Sequence, residues 1–366
     1  MEKTAEVTLL PSINVAIAGV GNCASAVIQG VSFYKDAPEN EIVPGLLHVS
    51  FGGYRPSDIK FVAAFDVDSR KVGKDLSEAI FSKPNNTRIF AQPPKMGVTV
   101  MRGPVMDGLG KYLKPVVRVE NNQQNVDVAQ TLRESQAQIL VNYLPVGSEQ
   151  ATRWYAGQAL KAGCAFINCI PVFMASDEAW QQRFRSAGLP VAGDDVMSQL
   201  GATVLHKTLA KLLIDRGVKI DESYQLNIGG DTDFLNMLEE ERLRSKRISK
   251  TSAVQAMIPY EVPLRIGPSD YVDFLDNKKI CYIRLKGRYF GNSPASIDVK
   301  LDIWDAPNSG GVVIDAIRAV KLALDRKISG PLTSISSYAF KHPPVHAPAN
   351  IAKQWVDEFI NGSRER

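Results

Sequence analysis

The chain contains no run of about 18 apolar residues, the length that a membrane-spanning helix needs. Its first residues, MEKTAEVTLLPS, have no basic segment leading into a long apolar stretch. They do not read as a signal peptide, and the cytoplasm is the default location. Cysteine is scarce: Cys23, Cys164, Cys169 and Cys281 include no CxxC pair, which argues for reduced, mostly buried thiols and against a zinc–thiolate site. Histidine is as scarce, with His48, His206, His342 and His346 showing no HExxH spacing, so acid–base chemistry falls mainly on lysine and carboxylate. No charge of one sign predominates. Against 39 acidic residues stand 43 basic ones, and a net charge of +4 is too slight and too dispersed to argue for nucleic acid. It still leaves room for a local basic pocket that takes a phosphorylated small molecule.

What is present is a chain of 366 residues, 45% hydrophobic, long enough for about two domains at ~100–200 residues each. Residues 13–19, INVAIAG, form a β-branched apolar run ending in glycine, which reads as a buried parallel strand. GVGNCASAVIQGV follows as a glycine turn and a helix. Further apolar runs are KFVAAFDVD, with Asp66 and Asp68 at its end, AQILVNYLP, ending at Pro145, CAFINCIP, ending at Pro171, and LPVAGDD, ending at Asp194 and Asp195. Helical patterns such as SEQATRWYAGQALKAG lie between them. Residues 1–200 are therefore expected to form an α/β domain, a Rossmann-type doubly wound parallel sheet with right-handed crossovers. In such sheets the ligand lies at the carboxyl ends of the strands, which here carry Gly19, Asp66, Leu144, Pro145, Asn168, Asp194 and Asp195.

After residue 200 the texture changes. GATVLHKTLAKLLIDRG reads as an amphipathic helix with a glycine stop, SYQLNIGGD as a strand, and FLNMLEEERLRSKRISK as one charged helix. CYIRLKGRYF and SIDVKLDIW alternate like antiparallel strands. Residues 201–310 are expected to form a second, α+β domain, and residues 311–366, opening with the helix GVVIDAIRAVKLALDRKISG, to return to the first. The segment 81–103, rich in proline and asparagine, reads either as an ordered loop near the ligand or as an insertion.

Gly19-Val20-Gly21-Asn22-Cys23-Ala24 matches G-x-G-x-x-G/A between a strand and a helix. Such glycines allow a tight turn and close approach to a pyrophosphate, and the helix N-terminus offers unpaired N–H groups. Asp66, at the end of the next strand, is placed to bind ribose hydroxyls and to favour NAD over NADP. It lies 45 residues beyond Gly21 where about 20 is usual, so residues 31–57 are read as an insertion.

A second group of signals is made of lysine and aspartate. SKRISK would place Lys246 and Lys250 at i and i+4 on one helical face, where like charges cost roughly 0.2–0.5 kcal/mol unless an anion lies between them. Spacing alone favours a solvated helix, with Glu240 and Arg244 as a compensating surface pair. By the same local standard, Asp231 and Asp233 in GGDTDFLNM and Asp305 in WDAPNS are turn acids. Asp194, Asp195 and Ser198 in GDDVMSQLGAT look like residues capping the helix that follows.

Together, however, GVGNC, FDVD, NNT at residues 85–87, YLPVGS, GDD followed by Ser198, GGDTDFLN, SKRISK and WDAPNS occur in an order that resembles the myo-inositol-1-phosphate synthases of the short prokaryotic type. The resemblance runs from about residue 13 to residue 342, and it is the combination that is specific. It implies conversion of glucose 6-phosphate to 1D-myo-inositol 3-phosphate: oxidation at carbon 5 by bound NAD, enolisation, aldol closure between carbons 1 and 6, and reduction by the same NADH. It maps the family's lysines onto Lys246 and Lys250, and by position onto Lys279 and Lys341, with Lys278 or Lys286 as substitutes for Lys279. It maps the family's acids onto Asp195, Asp233 and Asp305, with Asp194 as a neighbour. It implies cofactor contacts at Gly19, Gly21, Asn22, Cys23, Asp66, Leu144, Pro145, Asp194, Asp195 and Ser198, with Asp75 a further candidate that reads equally as an exposed helix acid. Lys246 and Lys279 are expected to serve carbons 5 and 6, Lys250 and Lys341 the phosphate or the aldehyde oxygen, and Asp195 the nicotinamide end or an ion.

Members of that family differ in using a divalent or a monovalent cation. With no His/Cys cage here, an ion would need aspartate and backbone oxygens. The resemblance, with the broad strand face of CYIRLKGRYF and SIDVKLDIW, also predicts a homotetramer joined through the second domain. Competing readings are an NAD-dependent dehydrogenase of the homoserine-dehydrogenase kind, a relative making another cyclitol phosphate, and a non-catalytic NAD-binding regulator.

Overall fold

Short β-branched runs alternating with helices build one parallel sheet. A computed structural model describes residues 12–39, 41–240 and 244–366, apart from the side chains of Arg244 and Pro268. The signal-peptide expectation rests on a segment whose residues 1–11 lie outside the described residues. The first six strands are β1 (Ile13–Ala18), β2 (Ile59–Asp66), β3 (Val100–Arg102), β4 (Ile139–Asn142), β5 (Ala165–Asn168) and β6 (Pro190–Gly193). Next come β7 (Lys219–Gly229), β8 (Leu264–Tyr271), β9 (Lys278–Arg288) and β10 (Pro294–Trp304), and then β11 (Gly330–Pro331). The seven-stranded sheet has the order β11-β6-β5-β4-β1-β2-β3, all parallel.

Both faces of this sheet are covered, which is why its central strands read as continuous apolar runs. Alternate residues of β1 face opposite layers. Ile13, Val15 and Ile17 join a core with Val27 and Ile28 of the helix Asn22–Phe33 and with Val313, Ile317 and Val320 of the helix Asp305–Asp325. Ala16 and Ala18 join a second core with Leu132, Ala156 and Phe184 from helices on the other side. Chain order reverses between β1 and its neighbours β2 and β4, so a crevice opens at the carboxyl ends of these strands.

The four-stranded sheet has the order β10-β9-β7-β8; β9 is antiparallel to both β7 and β10, and β8 is parallel to β7. Ile220, Cys281, Ile283 and Leu285 on its inner face pack on Ala210 and Val254 from the helices Ala202–Asp215 and Arg244–Gln255. FLNMLEEERLRSKRISK is not one helix. It contains the short helix Thr232–Asn236 and the separate helix Arg244–Gln255. Asn236, the last residue of the first helix, donates its side-chain amide to the Val146 carbonyl at 2.8 Å. The helix after WDAPNS starts earlier than the sequence suggests, at Asp305, because Pro307 falls in its first turn, where no N–H is required.

That 21-residue helix leaves the four-stranded sheet at β10 and runs under the seven-stranded one. Gly311 lets it meet the inserted segment, since a Cβ there would lie 2.0 Å from the Gly45 carbonyl oxygen. Arg318, fully buried on the same helix, donates to the carbonyls of His48, Val49 and Tyr54 in that insertion. No helix among the described residues is long and apolar enough to cross a membrane.

Candidate active site

One cavity joins the carboxyl ends of the parallel strands to the second sheet. Gly19, Gly21, Asn22, Cys23, Asp66, Leu144, Pro145 and Ser198 line one part of it, and Lys246, Lys250, Lys279, Lys341, Asp195, Asp233 and Asp305 the other. No histidine lines it. Two candidates from the sequence are elsewhere. Asp75 caps the short helix Leu76–Ala79, accepting from the Ser77, Met96 and Gly97 amides. Asp194 is fully buried beneath the site. Its carboxylate accepts from the Asn168 side chain, from the amides of Met174, Ala175 and Ser176, and from the Ser176 hydroxyl, yet burial still pushes its pKa up to about 6.

The glycine turn is built mainly from backbone geometry. Gly19 has φ +94°, and a Cβ on it would lie 2.6 Å from the Tyr143 carbonyl oxygen, so both conformation and packing demand glycine. A Cβ on Gly21 meets nothing within 4 Å. Only a ligand in the cavity would require glycine there. Gly21 precedes the helix Asn22–Phe33, whose N-terminus has no side-chain cap and no acid in its first turn. Its N–H groups are thus free for an anion. Asp66 accepts from the Val20, Val67 and Asp68 amides at 2.7–2.9 Å and lies 3.7 Å from Lys71. The uncertain segment 81–103 is partly a wall of the site. Asn22 accepts from the amides of Asn86 and Thr87, Asn86 donates to the Gly230 carbonyl, and Pro84 and Asn85 line the cavity.

Six segments, around residues 195, 233, 246–250, 279, 305 and 341, meet at the lysine end. Lys246 lies 2.5 Å from Asp233, Lys341 2.8 Å from Asp195, and Lys279 3.4 Å from Asp305. Lys246 and Lys250 are both buried, so the solvated-helix reading fails. The Arg244 side chain lies outside those described, and Glu240 pairs instead with Arg247. The substitutes for Lys279 point elsewhere: Lys286 pairs with Glu222, and Lys278 lies over the Trp304 ring. Backbone pairing of Asp194 with His342, and of Asp195 with Lys341, brings the GDD turn to the AFKHPP segment. None of Asp194, Asp195 and Ser198 caps the helix Ala202–Asp215, whose N-cap is Gly201.

Charge pairing leaves two groups over. Among the described residues the Lys250 side chain makes no hydrogen bond or ion pair. Burial, reinforced by Lys246, Lys279 and Lys341, pulls its pKa down to about 7. For Lys279 burial acts in the same direction, but Asp305, Cys281 and Asp233 outweigh it and hold it above the ordinary lysine value. Asp233 is held below the usual carboxylate range; burial opposes this, and Lys246, Lys250 and Lys279 overcome it. Asp231 has no cation partner, and burial beside Asp233 and Asp305 pushes it up to about 7. Burial likewise pushes the Cys23 thiol up to about 12, which leaves it protonated and unreactive.

Asp231 and Lys71 line the cavity, and Ser249 and Asn277 support its acids from behind; the sequence reading placed none of these four in the site. Ser249 lies inside SKRISK and donates to Asp195. Asp231 stood in GGDTD but was indistinguishable from a turn acid. The acids here are each matched to a lysine or a buried amide. Among the described residues no group of three or more His, Cys, Asp or Glu side chains could hold a metal ion.

The family described as myo-inositol-1-phosphate synthase matches residues 201–306. Over 353 residues, 96% of each chain, the sequence is 52% identical to an inositol-3-phosphate synthase of Mycobacterium tuberculosis. The chain belongs to the inositol-3-phosphate synthase family. It is also 50% identical over 358 residues to the inositol-3-phosphate synthase of Corynebacterium glutamicum, covering 95% of this chain and 98% of that one. The crystal structure of a myo-inositol-1-phosphate synthase-related protein from Thermotoga maritima superposes with a TM-score of 0.77 at 25% identity, covering 96% of this chain and 98% of that one.

Proposed function

We propose that this chain converts D-glucose 6-phosphate to 1D-myo-inositol 3-phosphate with bound NAD, as an isomerase with no net redox change. The observation that carries the reading is the convergence of four lysines and their acids on a cavity whose other end is an uncapped glycine turn. NAD supplies the hydride acceptor for carbon 5 and, once reduced, the donor for the ring ketone. Gly19, Gly21 and Asn22 would hold its pyrophosphate, and Asp66 its adenosine ribose. Leu144, Pro145, Ser198 and Asp195 lie along the path toward the lysines.

Lys246, Lys279 and Lys341 are each held by a carboxylate within 3.4 Å, so they act as oriented cations for phosphate and for oxyanions that develop during enolisation and ring closure. Lys250 is the group suited to move a proton. With its pKa pulled down to about 7, a substantial fraction of its Nζ is neutral at that pH and able to take the proton from the carbon beside the ketone. This exchanges the roles expected for Lys246 and Lys250, because burial, reinforced by neighbouring like charge, acts on Lys250.

The same reading assigns residues 201–310 to catalysis and tetramer assembly and returns residues 311–366 to the first domain. Its support is the open face of the four-stranded sheet. Tyr224, Leu226 and Tyr282 are 37–41% exposed there, and the edge strand β10 has no buried residue. Sedimentation showing a stable monomer at micromolar concentration would overturn the tetramer. Four free cysteines suit a cytoplasmic enzyme. Incubation of the purified chain with glucose 6-phosphate and NAD should yield a cyclitol phosphate without accumulation of NADH. Stoichiometric NADH would instead indicate a dehydrogenase.

A further inference from the structure

The two acid–lysine pairs of the second sheet, Asp233–Lys246 and Asp305–Lys279, belong to different segments, and one side chain ties them together. Asn277 is fully buried in the turn between β8 and β9, two residues before Lys279. Its amide nitrogen donates to Asp231 at 2.7 Å, its side-chain oxygen accepts from the Ala306 amide at 3.0 Å, and its backbone carbonyl accepts from the Asp305 amide at 2.9 Å. Asp231 in turn caps the helix Thr232–Asn236, accepting from the amides of Asp233 and Phe234. The chain of contacts therefore runs from the backbone of Asp233 to that of Asp305 through Asp231 and Asn277.

The packing around this bridge leaves it little freedom. A Cβ on Gly230 would lie 2.6 Å from the carbonyl oxygens of Val272 and Asp276, so the glycine pair is pressed against the turn that carries Asn277. A merely structural staple could join any two loops. This one joins the two residues whose carboxylates orient the catalytic ammonium groups.

We propose that Asn277 is a positioning residue for the reaction, holding the Asp233–Lys246 and Asp305–Lys279 pairs at fixed separation through its bond to Asp231. This rests on the cyclitol-phosphate synthase reading above. An amide meets both demands at this point. It must donate toward a carboxylate on one side and accept from a backbone N–H on the other. The groups facing Asp231 are Asp233 and Lys246, Asp305 at the start of its helix, Cys23 on the first helix and Tyr271 on β8.

Asn277→Asp is nearly isosteric and keeps the acceptor for Ala306, but sets a second carboxyl against Asp231. The two then share a proton at low pH and repel once it leaves. The experiment is the pH profile of kcat for the full chain with glucose 6-phosphate and NAD, alongside NAD affinity and melting temperature. The ratio of variant to wild-type kcat should fall with rising pH, by about 10²-fold, the scale of a misplaced catalytic group. NAD affinity should not change. The exchanged pair, Asp231→Asn with Asn277→Asp, restores the donor and acceptor in reversed order and should flatten that ratio again. A ratio independent of pH, or an exchanged pair that fails to restore it, overturns the proposal. Should Asn277→Asp not fold, Asn277→Ser is measured instead; unchanged kcat there overturns it, and lowered kcat with unchanged NAD affinity supports it. A wild-type chain that makes no cyclitol phosphate overturns the underlying reading, whereas a flat ratio in an active wild type overturns this inference alone.

Discussion

The two ends of the cavity are built on different principles. At the nucleotide end the ligand would meet mostly backbone: a glycine with open space above it, free N–H groups and one carboxylate. At the substrate end it would meet side chains carried by the segments around residues 195, 233, 246, 279, 305 and 341. A backbone site is local in sequence and survives most substitutions outside its glycines. A side-chain site depends on every segment arriving together, and its charges depend on one another.

The largest expected effect breaks the substrate end alone. Lys250→Met should lower kcat by about 10²–10⁴-fold, the range for loss of a general acid–base group, while NAD still binds. Because Lys250 is buried without an acid partner, its removal should not lower the melting temperature. Lys246→Met, which strands Asp233, should lower it. In the wild type, turnover should rise as pH passes upward through about 7, because the Lys250 amine must be neutral to accept a proton. Below that pH it is an ammonium and the step fails. A pH–rate profile without this acid limb would remove Lys250 from the role of base.

The nucleotide end is separated by a pair of glycine changes. Gly21→Val should abolish NAD binding in calorimetry with little change in stability, since its Cβ meets no protein atom. Gly19→Val should lose stability, by about 1–3 kcal/mol, through its positive φ and its contact with Tyr143. Equal losses of stability from both would dissolve the distinction. A smaller effect is expected of Asp66→Asn. It keeps an acceptor for the Val20 amide, weakens NAD by about 1.5–3 kcal/mol, and narrows the preference over NADP in a binding titration. Asp75→Ala, outside the cavity, should cost about 1 kcal/mol of stability as a lost helix cap and leave NAD affinity unchanged.

The same contrast accounts for what could be read in advance. The parallel sheet, the glycine turn and Asp66 are local patterns, because a buried strand and a phosphate-binding turn impose residue types on neighbouring positions. The lysine end has no such signature. Lys246 and Lys250 at helical spacing look like a solvated face until Asp233 and Asp195 arrive from elsewhere, and only the joint order of motifs in a family resemblance pointed to them. Asp231 and Asn277 escaped even that. A capping aspartate and a turn asparagine are the ordinary occupants of such positions, and their meeting across 46 residues is invisible locally. The break between the helices Thr232–Asn236 and Arg244–Gln255 was hidden for a related reason. Charged residues with good helix propensity run through it, and nothing local marks the end of the first helix.

The long helix Asp305–Asp325 lies against the helix Asn22–Phe33, with Ile314 beside Gly30 and the Gly310 backbone beside that of Ala26. During synthesis the chain emerges from its N-terminus, so the first helix waits some 280 residues for the surface that covers it. Contacts of such separation close slowly. A ribosome-bound chain ending near residue 300 would carry the glycine turn and β1 to β6 with one layer of their core uncovered. The nucleotide end should therefore become protease-resistant only once the helix Asp305–Asp325, in the last fifth of the protein, has been made.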